Sequence, residues 1–296
     1  MNKTLRTELE QKDVIGKSLW DHAFERLKRN RAAMISLTIL AIMSLLVFIG
    51  PYLSVHQFDT IYWDAFSIGP SLSKGHLFGT DTTGRDLFVR VLVGGRLSLM
   101  IGIISTLVSL VIGIAYGAIA GYIGGKVDSF MMRIVDILYA LPFMFLVILL
   151  MVMFGRHIIL IFVAIGAINW LDMARIVRGQ TLSLKEREFI TAARAMGVKK
   201  RFIILRHIIP NLLGIVVIYA TLTIPQVILA ESFLSFLGLG VQEPLTSWGA
   251  LVNDGAQEME SAPWMLLFPA LFLATTLFCF NFLGDGLRDA LDPKDR

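Results

Sequence analysis

Residues Glu188 to Asn211 read EFITAARAMGVKKRFIILRHIIPN. Arg194, Lys199, Lys200, Arg201, Arg206 and His207 crowd into this stretch, with Arg187 just ahead, while the runs on both sides are long and apolar. Such a basic island needs water, and its neighbours need hydrocarbon. A chain that alternates between these two solvents is an all-α, polytopic membrane protein, because in a bilayer a helix satisfies its backbone hydrogen bonds within one segment.

The whole chain agrees with its centre. Of 296 residues, 55% are hydrophobic and 17% charged, whereas charged residues make up about a quarter of an ordinary soluble domain. A hydrocarbon core about 30 Å thick takes about 20 apolar residues in a helix. Ala32 to Val55, Leu97 to Gly125, Ile137 to Gly155 and Pro263 to Leu283 contain no Asp, Glu, Lys or Arg. Ile208 to Ala230 is also charge-free, with Pro210 and Pro225 inside it, and Ile158 to Leu171 is a shorter sixth run continued by Asp172. Six crossings with both termini cytoplasmic put 22 of the 27 Lys and Arg on the inner side, as the positive-inside rule requires. Five crossings would place the basic island outside. The expected layout is therefore a cytoplasmic arm over 1–31, a first span over 32–55, an external segment over 56–96, a core over 97–288 carrying a cytoplasmic loop at 179–207, and a cytoplasmic tail over 289–296.

The first apolar run is too long for a signal-peptide core and follows thirty mostly polar residues, so it reads as a retained anchor. In the arm, Ser18 is placed to cap a helix to Arg29 whose Trp20, Phe24 and Leu27 recur at helical spacing and would rest on the membrane surface. Gly113, Gly117 and Gly121 form one small-residue face, suited to close approach of a second helix. The pI near 9.2 is accounted for by the cytoplasmic cations, so the partner it implies is the lipid bilayer and no nucleic acid.

No stretch carries catalytic chemistry. FGTDTTGRD (Phe78 to Asp86) has the glycine spacing of a phosphate loop, but Arg85-Asp86 stand where Lys and Ser or Thr are needed. It reads as an external turn leading into an interfacial helix. The single Cys279 excludes an intramolecular disulfide and a cysteine metal cluster, and the five histidines are scattered across both sides of the expected membrane. No metal and no bound cofactor are expected. Arg133 with Asp136, and Asp172 with Arg175, have the i,i+3 spacing of local ion pairs. Glu231, just past the fifth run, has no evident partner in the sequence and is a candidate external loop anchor or gate.

In the opening stretch, Phe189, Ala192, Ala193 and Met196 fall at i, i+3, i+4 and i+7, one apolar stripe on a short helix, with Arg187 and Arg194 facing elsewhere. Gly197 supplies the left-handed residue that ends such a helix. A second helix from Lys199 to Arg206 would lead back to Pro210 and the membrane. A helix-turn-helix this small cannot bury its own stripe. Its residue pattern fits a docked partner and a loop resting on lipid about equally well.

The same residues resemble the cytoplasmic signature of bacterial ABC importer permeases, in which an EAA triplet, three residues, Gly, nine residues and Pro form the coupling helices. Ala192, Ala193 and Gly197 match at those offsets, Pro210 follows Gly197 after twelve residues, and Thr191 stands where the family usually has Glu. WLDMARIVRGQTLSLKEREFITAAR, LAESFLSFLGLGVQEPLTSWG, GDGLRDALDPKDR and FGTDTTGRDLFVRVLVGGRLSL extend the likeness over nearly the whole chain. They resemble the peptide, dipeptide and nickel group, above all its C-type oligopeptide subunits. The resemblance implies a transport subunit of the bacterial inner membrane with the ABC importer permease fold. It also implies a homologous second permease, two ATPase subunits that bind the ATP and Mg, an extracytoplasmic binding protein and a peptide substrate. Coupling to an ATPase would fall on Phe189, Thr191, Ala192, Ala193, Arg194, Met196, Gly197 and Pro210. An ion-coupled transporter working alone would instead need paired broken helices and carboxylates at mid-depth.

Overall fold

The computed structural model describes residues 19–155 and 158–291. Ser18 lies outside them, as does the side chain of Trp20. The elements are α1 (Leu19–Arg29), α2 (Arg31–Leu53), α3 (Leu87–Ile123), α4 (Gly125–Ala140), α5 (Phe143–Phe154), α6 (Ile158–Leu184), α7 (Glu188–Ala195), α8 (Lys200–Phe236), α9 (Trp248–Gln257) and α10 (Trp264–Leu291). Among the described residues there is no strand, only two isolated bridges in the segment that joins α2 to α3.

Helices α2, α3, α8 and α10 are long and apolar enough to cross a membrane, and α4 with α5 would make a fifth crossing as a bent pair. The expected six is thus not reached by length and composition. Its sixth member, Ile158 to Leu171, is the first half of the 27-residue α6. The third expected span, Ile137 to Gly155, is in fact two helices meeting at 83°. The cause is local: Leu141 is extended just before Pro142, whose ring disfavours helical backbone at the preceding residue. Exposed Ile35, Ile42 and Leu45 on α2, Val111 on α3, and Leu267, Leu271 and Phe278 on α10 form apolar surface that hydrocarbon covers at no cost and water does not.

The central element is α3. Its N-cap Asp86 accepts a hydrogen bond from the Val89 amide at 3.0 Å. It then runs 37 residues without a break. The interfacial helix expected ahead of the second span is therefore the first ten residues of that span. The helix can be so long because Arg90, which would stop a lipid-facing helix, is buried within the protein. One end of α3 packs Leu87, Val91, Leu92 and Leu99 against Met43 and Val47 of α2, Ile228 of α8, Trp248 of α9 and Met265 of α10. Its other end packs Ala118 and Tyr122 against Met173 and Val177 of α6, Ile190 of α7, and Ile208 and Leu212 of α8. Each fully buried Leu or Ile contributes roughly 1.5–3 kcal/mol relative to exposure to water. In hydrocarbon that contrast disappears, and close packing takes its place.

The small-residue face lies on this seam. A Cβ built on Gly113 would stand 2.6 Å from Cβ of Met173, one on Gly117 2.4 Å from the carbonyl oxygen of Ala174, and one on Gly121 2.8 Å from that of Arg178. The three glycines thus face α6 of the same chain. The short arm helix likewise packs inward: Ala23 and Leu27 are buried with Leu287, Ala290 and Leu291 of α10, while Phe24 faces out beneath the Lys28 ammonium. The expected stripe is therefore split, because α10 continues to Leu291 and supplies a protein surface where lipid was expected.

Contacts sort the connections to two ends of the bundle. At one end, Leu27 meets Leu287 and Leu291, Arg194 lies over the Tyr122 ring, and Gly214 approaches Leu291. At the other, Trp264 donates to the Thr80 carbonyl and packs on Gly69, and Arg85 reaches Glu243. The arm helix α1, the island at Arg187–His207 and the C-terminal end of α10 thus share one end, and the segment 56–86 shares the opposite one with the loop 237–247.

Candidate functional site

Three elements build the basic end. α6 descends past Gly117 and Gly121, a tight turn at 185–187 reverses the chain, and α7 lies across the end of the bundle. Its anchoring side chains are Ile190, fully buried, and Ala193, 2% exposed, packed with Tyr122, Val177, Ile203 and Ile208. Phe189, Ala192 and Met196 point the other way, and Met196 is 75% exposed. The structure therefore divides the expected stripe: Ala193 belongs to the inward face, together with Ile190, which the 3.6-residue spacing did not single out. Arg194 also turns inward, with its guanidinium 5.3 Å above the Tyr122 ring and one N–H donating to the Lys185 carbonyl at 3.3 Å. Thr191 is exposed, and its hydroxyl donates back to the Arg187 carbonyl at 3.4 Å.

The turn after α7 is set by Gly197. Its φ is +74°, its amide donates to Arg194 at 2.9 Å, and the Val198 amide donates to Ala193 at 3.1 Å. These two bonds form the left-handed cap that satisfies the last carbonyls of the helix. A Cβ on Gly197 would meet nothing within 4 Å, so the requirement for glycine is conformational and not steric.

The second short helix and the fifth span prove to be one element. α8 starts at Lys200, widens into a π turn over Ile204–Ile208, and continues through Pro210. Within the π turn, the Ile209 amide donates to Ile204, and the Asn211 side chain donates to the His207 carbonyl at 2.6 Å. This registry accommodates the missing N–H of Pro210 without a break. α7 is consequently clamped between Tyr122 and a continuous 37-residue rod.

Ion pairs brace the same end, but not at the expected spacing. Asp136 pairs with Arg175 at 2.8 Å across from α4 to α6, in place of the local Arg133–Asp136 and Asp172–Arg175 pairs. Beside it Arg178 grips Asp128 with two bonds of 2.5 and 2.6 Å. Fork-on-carboxylate geometry of this kind is specific as well as strong. Arg175 and Arg178 lie three apart on α6, so one helical face ties it to α4 twice.

At the opposite end Glu231 is fully buried in α8 and has partners. The hydroxyl of Ser235 donates to Oε1 at 2.6 Å and that of Ser98 to Oε2 at 3.3 Å. Ser98 in turn accepts from the Trp248 amide, and Ser247, 3.3 Å from Ser235, accepts from the Ala250 amide. Both chains start at unbonded amides of the first turn of α9 and finish on the carboxylate. Glu231 is thus fully buried and ties the start of α9, with Ser247 at the end of the loop 237–247, to α3 and α8 from the inside. Nearby, Asp81 accepts from the Thr83 and Arg85 amides, from the Thr83 hydroxyl and from Arg85 Nε. Burial alone would raise its carboxyl, yet these bonds and the Arg90 charge outweigh it and hold Asp81 below the ordinary aspartate range. Arg85 extends to Glu243 at 2.8 Å and lowers that carboxyl too. The glycine turn that resembled a phosphate loop is thus a latch between the external segment and the loop ahead of α9.

The fold is a helical membrane bundle that carries a half-buried amphipathic helix, with ion pairs bracing the same end. The family model described as "Binding-protein-dependent transport system inner membrane component" matches residues 113–296, and that described as "N-terminal TM domain of oligopeptide transport permease C" matches 18–70. The chain belongs to this family of inner-membrane transport permeases. It is 59% identical over 295 residues to the oligopeptide transport system permease protein OppC of Escherichia coli K12, covering 100% of this chain and 98% of that relative. Identity to the dipeptide permease protein DppC of Bacillus subtilis is 47%, covering 93% and 85%. Among solved structures, the inward-facing MetNI methionine ABC transporter aligns with a TM-score of 0.55 and 21% identity over 68% of this chain and 96% of that one, which shows a shared fold.

Proposed function

We propose that this chain is one of two permease subunits of an ATP-driven importer of oligopeptides in the bacterial cytoplasmic membrane, and that α7 is the helix through which an ATPase subunit moves it. The observation that carries the coupling role is the two-sidedness of α7: Ile190 and Ala193 lock it to α3, α6 and α8, while Phe189, Ala192 and Met196 stand exposed on the adjoining face. An amphipathic helix presented in this way fits a groove and draws affinity from a few apolar anchors. Its dimensions suit a cleft in one of two ATPase subunits, which would bind the ATP and Mg. A second, homologous permease and an extracytoplasmic peptide-binding protein complete the machine. The peptide assignment rests on the naming of the relatives at 57–59% identity.

ATP-driven closure of the ATPase pair would carry α7 as a rigid body and bias a two-state rocking of the bundle. Met196→Asp is expected to reduce recovery of the ATPase with the tagged permease about tenfold or more while leaving membrane insertion unchanged, as read by affinity purification from solubilised membranes. Undiminished recovery would favour a loop that rests on lipid. Gly197→Val forces a β-branched residue into the left-handed region, a strain of about 1–3 kcal/mol that the turn can relieve only by changing the angle between α7 and α8. The variant should insert and bind ATPase, yet hydrolyse ATP without peptide uptake in proteoliposomes. Wild-type uptake by this variant would remove the coupling role from the turn.

A further inference from the structure

We infer that the external segment contains a divalent metal site of the zinc class, formed by His56, His76 and Asp86. The three come from the chain just after α2, the middle of the external segment and the N-cap of α3, and their nearest ligand atoms all lie within 4.8 Å of one another. Far apart in sequence, they are gathered by the bridge between Ser71 and His76 and by the cap geometry of Asp86.

Each group is held in a state suited to ligation. The imidazoles of His56 and His76 stack with centroids 4.7 Å apart and planes 25° from parallel. Asp86 commits Oδ1 to the Val89 amide and presents Oδ2 at 2.8 Å from Nδ1 of His76. Ligand atoms about 2.0–2.1 Å from a tetrahedral zinc stand about 3.3 Å from each other, so this pair is already close to ligand spacing. His56 closes the set by a movement of about 1–1.5 Å. Its Nε2 lies 3.2 Å from the Gly75 carbonyl and its Nδ1 2.8 Å from the Tyr62 hydroxyl. The carbonyl only accepts, so without metal Nε2 carries the proton and Tyr62 donates to Nδ1. On ligation through Nε2 the proton moves to Nδ1, which then donates to Tyr62, an outer-shell bond of the kind that orients metal-bound histidines. The carboxylate supplies the one negative charge. A cavity of about 450 Å³ bordered by His56, Gly75 and Asp86 leaves room for water as a fourth ligand. Two imidazoles and one carboxylate favour zinc over magnesium or calcium, which prefer oxygen alone.

Bound metal would staple the end of α2 to the start of α3. The test uses the assembled transporter in nanodiscs, stripped with chelator and then titrated with Zn²⁺ or Mg²⁺, with bound metal read by elemental analysis and affinity by calorimetry. Wild type should hold one more zinc than His56→Gln, and the affinity of that variant for the site should fall on the order of 100-fold or more. Asp86→Asn, which keeps a competent N-cap, should show the same loss, and Mg²⁺ should not compete. Zinc stoichiometry and affinity equal in wild type and both variants would overturn the site, as would failure of wild type to bind zinc at all. Because the readout is metal content, it is independent of transport.

Discussion

Gly117→Val should abolish the folded subunit. The added Cβ would stand 2.4 Å from the Ala174 carbonyl oxygen, 2.9 Å from the Arg178 amide nitrogen and 2.9 Å from Cβ of Val177. Two of these three are backbone atoms, so no rotamer change relieves the clash, and α3 and α6 must separate along the seam from Gly113 to Gly121. Overpacking in a core costs about 1–3 kcal/mol when side chains can shift, and here the rigid backbone of α6 puts the cost at the upper end or beyond. Separation would also unseat Met173 and Val177 from the cluster that holds Ile190, so the coupling helix should loosen in the same step. The measurement is the fraction of tagged subunit that survives detergent extraction as a monodisperse species. Gly179→Ala is the matched control: it lies on α6 with nothing within 4 Å of an added Cβ, and loss of backbone freedom in the unfolded chain should make it neutral or stabilising by up to about 1 kcal/mol. A well-behaved Gly117→Val protein would show that the seam is not closely packed.

Glu231→Ala should produce the second largest loss, at the opposite end of the bundle. It removes the acceptor of the Ser98 and Ser235 hydroxyls and leaves a void among fully buried groups. Hydrogen bonds to a charged acceptor contribute about 1.5–3 kcal/mol each, and neutral ones about 1, so losing two costs about 2–6 kcal/mol before the void is counted. The effect should travel to α9, whose Trp248 is fully buried and donates its indole N–H to the Val91 carbonyl at 2.9 Å. Accelerated proteolysis between 237 and 257 in the purified complex is the specific readout. Glu231→Gln, which keeps an acceptor oxygen, should recover most of the protection. If the alanine variant is protected as well as wild type, the carboxylate does not anchor α9.

Much of the molecule was legible in one dimension because a bilayer imposes a simple rule on sequence. Charge-free runs of about 20 residues, the helix-ending glycine at 197 and the small-residue face at 113–121 are local patterns with a single dominant physical cause, and each appears in the fold except the run Ile137 to Gly155, which is broken ahead of Pro142. The helix ends were less legible. α3 begins ten residues early because Arg90 is buried beside Asp81, and no local pattern reports a partner that the chain supplies from elsewhere. Ile190 escaped notice for a related reason: on a helix whose two faces are both apolar, spacing identifies stripes without saying which one the protein itself covers. Arg175 has Asp172 at pairing distance in the sequence, yet binds Asp136, 39 residues away, and Arg178 binds Asp128, 50 residues away.

By itself the sequence determined the solvent of each segment, and with it the all-helical class, the grouping of the basic segments and the position of the amphipathic handle, because transfer of charge into hydrocarbon is costly enough to be written residue by residue. Only the tertiary structure decided which face of α7 is free, that α8 runs unbroken from Lys200 through Pro210, that Glu231 is satisfied by the Ser98 and Ser235 hydroxyls, and that His56, His76 and Asp86 meet. Those outcomes depend on contacts between residues far apart in the chain, where energies of a few kcal/mol are set by geometry that no local spacing encodes.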